Sequence, residues 1–575
     1  MQTPAPLFTY SSILAMLLLS FGCQPEQSVS KPKPSVSSES QSAPVVIREN
    51  ATPDKQSQLV QVDAEGRLNY EAYNEQGDII PDFSYVGYKY GLEAIPQVPV
   101  AITLEAVAGD NHTAIQAAID EVSALPLQTN GFRGAILLKA GRYEVGDTLR
   151  ISTSGVVLRG EGDIDGTTLV ATKPEKHDFI VIGGTGKRTT LRSNQTTITD
   201  NYVNVGALSF HVKEPQNLKI GSRVLVVRPS TENWIHAIGM DQIPPRPDGL
   251  PVEQWNPGDF DLKFDRTITA IDGDRVTINA PLTNAFQQEF GGGRVIHYKF
   301  PDRINNVGVE HLRLESIYDP EETYSATLSG FYTEDNIPCD EDHAWKAITF
   351  DNVEHAWAQY VTSEHFAFGC VEMKRESKNI TVSHCNSLDP ISQIRGGRRY
   401  GFNIVGQLCL VRDSFSRKGR HDFAAGSRLP GPNAFVNCRS ENSYSTSEPH
   451  HRWAAGVLWD NVSLRGPYTW LMANNRGWLG SGHGWAGAQI VFWNCSAPII
   501  GVSKPPTAQN FAIGVTEVPE NKALVAVAVR NMNDMSGKEL EANLPFWGDG
   551  YTESPDGPVY PQSLFEAQLS NRQQQ

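Results

Sequence analysis

A short phrase built on histidine and an aromatic residue recurs through residues 343–496 and sets the rhythm of that part of the chain. It reads His-Ala-Trp-Lys-Ala from His343, His-Asp-Phe-Ala-Ala-Gly from His421, His-Arg-Trp-Ala-Ala-Gly from His451 and His-Gly-Trp-Ala-Gly from His483. A looser form starts at His365. The copies at 421, 451 and 483 stand 30 and 32 residues apart, and three copies run into similar β-type segments at 347–353, 456–462 and 488–495. A period of that length marks a solenoid, in which each repeat packs mainly on its neighbours.

If each repeat is one coil of a parallel β-helix, equivalent residues in adjacent coils lie roughly 4.8 Å apart. Histidines one period apart then form a ladder, and two readings of it stay open. In one, His and the aromatic at i and i+2 share a side and stack inward while Ala344, Asp422, Arg452 and Gly484 face water. In the other, the histidines line an external groove; the period alone does not say which side is out.

The N-terminal part carries a second pattern. In residues 111–125, Ile115, Ala118, Ile119 and Val122 recur at helical spacing, with Thr113 and Gln116 as a candidate capping box. Gly-Ala-Ile-Leu-Leu-Lys-Ala-Gly, Thr-Leu-Arg-Ile and Gly-Val-Val-Leu-Arg-Gly-Glu-Gly follow up to Gly162. This order of elements resembles the N-terminal end of pectate-lyase-like right-handed β-helix proteins, especially the rhamnogalacturonase/epimerase-type group. The resemblance implies an all-β fold: a right-handed, single-stranded parallel β-helix whose N-terminal capping helix covers the open end of the solenoid. It says less about the reaction, because function resides in the site and not in the fold.

Around this core the sequence divides further. Residues 1–22 hold no charge and an apolar run, Ile13 to Leu19, too short to span a bilayer, so they read as an export signal. Leu19-Ser20-Phe21-Gly22-Cys23 resembles a bacterial lipobox, which implies lipidation of Cys23. Gln24 after the cysteine favours the outer membrane, facing periplasm or cell surface, so the membrane is met only through that lipid anchor. Residues 23–58 are rich in Ser, Pro, Lys and Gln and read as a tether. Residues 59–199 hold the capping helix and first coils. Residues 200–298 break the rhythm with strand-like runs and a hairpin signal at Asp272–Gly273, an inserted small β-domain. Coils resume over 299–515, and 516–575 end in a strand-like stretch (523–531) and a docking segment with Leu564, Ala567 and Leu569. Cys385, Cys438 and Cys495 close similar segments, which suggests stacked buried thiols; no Cys-x-x-Cys pair supports zinc.

Charge narrows the function. The formal net charge of −16 argues against a nucleic-acid partner. Yet between Arg395 and Arg476 twelve basic residues face five acids, and a positive cleft attracts an anionic polymer. With the histidines in the same stretch, this points to a polysaccharide lyase acting on an acidic, uronate-containing polysaccharide. β-Elimination needs a cation to neutralise the carboxylate, a base for the C5 proton and a proton donor for the leaving oxygen. The candidates are Arg452 or Arg420 for the first, His421 or His451 for the second, and His483, His450 or Tyr468 for the third. Arg476 and the indoles of Trp453 and Trp485 complete the expected substrate-binding set. Many relatives in the resembled family neutralise the carboxylate with Ca²⁺. Here Cys339-Asp340-Glu341-Asp342 is the acidic cluster available, and the metal is otherwise open. Three alternatives stand beside the lyase. One is an inverting hydrolase of polygalacturonase type, which Gly482-His483-Gly484 resembles but whose paired aspartates are not found upstream. The others are a uronate epimerase and a non-catalytic surface glycan-binding protein.

Overall fold

The computed structural model describes residues 55–246, 248–328, 332–466, 468–518 and 548–574. The signal segment, Cys23, nearly all of the tether and the stretch 523–531 lie outside the described residues.

The chain winds as a right-handed parallel β-helix with three strand-bearing faces. On the first, Gly134–Leu138, Val156–Arg159, Ile304–Ser316, Val353–Glu364 and Lys378–Ser383 stack in parallel register. Leu410–Arg412, Pro430–Val436, Ala454–Asp460, Gly487–Trp493 and Phe511–Ile513 continue the stack. The second face includes Asn386–Leu388, Phe415–Arg417, Arg439–Glu441 and Ser463–Leu464. The third runs from Leu149–Ile151 and His177–Gly183 through Ala344–Asp351, Gly369–Met373 and Phe402–Ile404 to Phe423–Ala425. Thr446–Ser447, Trp470–Ala473 and Ile499–Val502 carry it on. Tyr551–Glu553 adds a strand to the first face beyond residue 515, where the coil was expected to end.

The corner between the first and second faces explains why so many strands end in a small polar residue. His311, Tyr360, His384, Asp413, Asn437, Asn461 and Asn494 all take positive φ there, from 49° to 57°. Asn and Asp tolerate this left-handed conformation better than branched residues do. Each amide from His384 onward bonds the next coil, as in Asp413 N–H to Val436 O (2.9 Å) and Asn437 N–H to Asp460 O (2.9 Å). The next residue in each coil points into the bore. Cys385, Cys438 and Cys495 are therefore free and buried, but Ser414 and Val462 stand between them in the column.

The helix His112–Ala124 buries Ile115, Ala118, Ile119 and Val122 against the end of the bore. Its start differs from the expected capping box. Asp110 Oδ1 accepts from His112 N–H (2.9 Å), while Gln116 reaches sideways to Asp120 and to the backbone of Arg150.

The antiparallel insertion begins before residue 200. Its six strands run in the order Thr189–Thr197, Arg294–Lys299, Arg223–Arg228, Leu262–Asp272, Arg275–Ile278 and Ser209–His211. One apolar cluster joins it to the coils: Trp234, Trp255 and Phe264 of the insertion pack with Trp453, Ala455, Trp485 and Ala488. A buried ionic cluster joins them a second time. Asp265 takes Arg303 (2.8 Å), Lys378 (2.8 Å) and the Tyr298 hydroxyl (2.7 Å).

Candidate functional site

The histidine phrases do not occupy equivalent places in the coil. His451 and His483 precede strands of the first face that pair Ala454 with Gly487. His421 instead precedes Phe423–Ala425 of the third face, where Phe423 pairs with Phe402. The copies converge because the chain leaves the third face through Glu448-Pro449-His450-His451 and turns onto the first. Where these faces meet, four imidazoles gather outside the bore. Ring centroids are 4.5 Å apart for His421 and His450, 5.2 Å for His450 and His483, and 5.0 Å for His451 and His483.

Two residues without an expected role stand at the centre of this group. Glu448, buried, lies 2.7 Å by Oε1 from His450 Nδ1 and also takes the Arg476 guanidinium. With Nδ1–H on Glu448, His450 Nε2 accepts from the Tyr400 hydroxyl at 3.1 Å. The Arg420 guanidinium sits 5.8 Å from the Tyr400 ring centroid and donates to Gly396 O. The outcome is a chain of groups, Glu448 to His450 to Tyr400, flanked by Arg476 and Arg420. Tyr400 was legible in principle. It precedes glycine and a third-face strand, as Phe368 does in the coil before, and the two rings stack at 5.0 Å.

Burial controls the protonation of this cluster. It holds His450 well below the ordinary imidazole range, reinforced by Arg476 and Arg420. His421 is depressed in the same way, with Arg420 adding to burial, and His451 is pushed down to about 2. Desolvation raises Glu448 to about 7 against the pull of Arg476, and raises the Tyr400 phenol. The imidazoles are therefore neutral at ordinary pH and serve as acceptors or relays.

Each expected site residue has a defined place. His421 is 1% exposed and donates Nδ1–H to Thr446 O (2.7 Å), so it sits behind the site as a positioned core group. His451, Arg452 and His483 form a half-buried rim, where Arg452 donates to Ser481 Oγ (2.7 Å) and lies 3.4 Å from Glu253. Tyr468 is outside the cluster and packs against the small apolar group of Ala326 and Ile337. Trp453 and Trp485 correct the expectation of sugar-stacking indoles. They are 0% and 7% exposed, seated in the seam with the insertion, and donate to Asn284 Oδ1 (2.9 Å) and Ile238 O (3.1 Å). The insertion thereby forms a wall: Glu253 N–H bonds Ser481 O (3.0 Å) and Arg246 bonds Gly480 O, pinning the loop that carries His483.

The local excess of arginines is smaller in space than along the chain. Arg398 pairs with Glu341, Arg417 with Asp389 and Arg412 with Glu566 (2.9 Å), all acids from outside that stretch. The same pairing bears on calcium. Glu341 is taken by Arg398, and Asp340 caps the amides of Asp319 and Asp342 (2.8 Å each). His421, Glu448 and His450 do place three ligand atoms within 4.8 Å of one another. They fit a metal ion poorly. Arg476 already bonds the Glu448 oxygen and lies 2.9 Å from His450 Nδ1, and His421 Nδ1 is spent on Thr446.

No protein-family model matches the chain, and no curated protein matches it. Among solved structures it is similar to the tailspike protein gp49 from Pseudomonas phage LKA1, at 11% identity and a TM-score of 0.37, over 71% of this chain and 68% of that one. It is similar to the alginate lyase from Paenibacillus sp. str. FPU-7 at 7% identity and a TM-score of 0.35, over 80% and 98%. For the tailspike of E. coli bacteriophage HK620 in complex with pentasaccharide, the values are 10% and 0.33, over 73% and 51%, so the chain spans about half the length of that protein.

Proposed function

We propose that the chain binds an acidic polysaccharide at the corner between its third and first faces and cleaves it by β-elimination. The observation that carries this reading is the Tyr400 hydroxyl, 3.1 Å from His450 Nε2, with Glu448 behind the imidazole and Arg420 beside the phenol. In the first half of the reaction the Tyr400 proton moves to His450 Nε2, and Oη takes the proton from C5 of the uronate. Glu448 stabilises the imidazolium as it forms, and Arg420 neutralises the substrate carboxylate, whose charge grows as the enolate develops. The C4–O4 bond then breaks. The proton on His450 returns to Tyr400 Oη as the phenol releases its own proton to the leaving oxygen, and a C4=C5 double bond remains. His483 and His451 line the rim on the leaving-group side. The fixed guanidinium supplies the charge a metal would otherwise bring.

An inverting hydrolase would need two carboxylates reaching the substrate. Asp422 is 0% exposed and held by Ser416, and Glu448 lies behind His450, which favours elimination. The test is incubation with a panel of uronate polysaccharides while the ultraviolet absorbance of the C4=C5 bond is followed. Absorbance should appear, and Tyr400→Phe should lower its rate by about 10²–10⁴-fold with substrate still bound. New reducing ends without absorbance, or full activity in Tyr400→Phe, would overturn the reading. We also propose that the chain is exported and anchored to the outer membrane through a lipid on Cys23.

A further inference from the structure

A cavity lies away from the histidine corner, where three distant segments meet. Residues 73–78, 201–202 with 287–289 of the insertion, and 504–509 of a late coil enclose about 550 Å³. That volume is in the range of small-ligand sites.

Its wall is rich in acceptors. Gln287 Oε1 meets no protein donor but is itself buried out of solvent contact. Gln288 and Gln509 spend their Nε2 groups on backbone carbonyls, Ile198 O (3.0 Å) and Asn510 O (3.2 Å), which leaves their oxygens available. Two phenols brace the inner side, with Tyr73 donating to Gln489 Oε1 (2.9 Å) and Tyr202 to Asp78 Oδ2 (2.7 Å).

The charges at this cavity do not select an ion. Asp78 is satisfied internally by Tyr202, Asn74 (2.8 Å) and the Val205 amide (2.8 Å). Glu289 and Lys504 are exposed and of opposite sign. The wall also holds strain: Thr507 has φ +67°, rare for a β-branched residue, and its Oγ1 accepts from the buried Trp234 indole (3.1 Å). Such a conformation persists where the surroundings enforce it and clusters at functional sites.

We propose that this cavity is a separate carbohydrate-binding site for a neutral, hydroxyl-rich sugar chain, whose hydroxyls donate to the oxygens of Gln288 and Gln509. The argument is independent of the elimination chemistry at Tyr400. Saturation-transfer NMR on the full chain with cellotriose, maltotriose and mannotriose tests it, with glycerol and trigalacturonate as controls. At least one neutral trisaccharide should bind and change the fluorescence of Trp234. Gln509→Ala removes one of these acceptors and should weaken that trisaccharide about tenfold, with a retained melting transition showing that the fold is kept. Gln288→Ala should weaken it similarly, and Tyr400→Phe should bind it normally. Failure of all three trisaccharides to bind would overturn the proposal, as would equal competition by glycerol or trigalacturonate. Undiminished binding in both glutamine variants, or loss of binding in Tyr400→Phe, would overturn it as well.

Discussion

Replacing Asp265 by Asn tests whether the insertion is locked to the coils by charge as well as by apolar packing. Asp265 is 1% exposed and receives Arg303, Lys378 and the Tyr298 hydroxyl, each at 2.7–2.8 Å. Its carboxyl is held far below the ordinary range, because Lys378 and Arg303 outweigh the desolvation that opposes them. Asn keeps the shape but removes the charge and turns an amide donor toward a cation. Glu354 alone would then face Arg303 (3.5 Å), Lys378 (3.8 Å) and Arg223 (2.5 Å). Breaking a buried pair on one side costs about 3–5 kcal/mol, most of it from the cation left without a partner. Asp265→Asn should lose stability of that order. Adding Lys378→Met should recover more than about 1 kcal/mol, since the unpaired charge is then gone. A chain of this size need not unfold in one step, so the readout must report the seam itself. Trp234, Trp255, Trp453 and Trp485 are buried there, and their emission should shift to the red at lower urea in the single variant than in the wild type. An unchanged midpoint in Asp265→Asn, or no recovery in the double variant, would refute the reasoning.

Three further outcomes are expected. Burial, with Arg420 beside His421 and Arg476 beside His450, keeps both imidazoles neutral in the folded chain, whereas the unfolded chain takes up protons below about pH 6.5. Stability is therefore complete above that pH and falls by up to about 1.4 kcal/mol per pH unit per imidazole below it. Glu448, raised to about 7, acts oppositely, losing stability as pH rises from about 4.3; thermal unfolding across pH should show a flatter acid limb in His421→Leu. Asn437→Val puts a branched residue at φ +52° and removes the bond to Asp413 Oδ1 (3.2 Å), which should cost about 1–2 kcal/mol by denaturant titration. Cys23→Ala should abolish labelling by radioactive palmitate in a bacterial host and release the protein from membranes, and labelling that persists would remove the lipid anchor.

Much of the fold was legible because it follows from local rules. A left-handed corner in every coil favours Asn, Asp or His, and the inward residue next to it is small or apolar. The runs ending in His384-Cys385, Asn437-Cys438 and Asn494-Cys495 display both features in the sequence itself. The capping helix was legible from the spacing of Ile115, Ala118, Ile119 and Val122. The site was legible only in outline, because its members sit on different faces of the coil. Similar phrases at His421 and His451 suggested a ladder with one period, yet one precedes a third-face strand and the other a first-face strand.

The sequence by itself determined the periodicity, the capped end and a concentration of histidine and arginine in one stretch, since each depends on residues close together in the chain. Tertiary structure alone decided which groups those histidines and arginines meet. Glu448 pairs with Arg476 across 28 residues, Tyr400 meets His450 across 50, and Trp453 is closed off by Asn284 across 169. Desolvation sets the proton affinities of these groups, and it depends on which faces and which insertion close over them, a fact that no local pattern records.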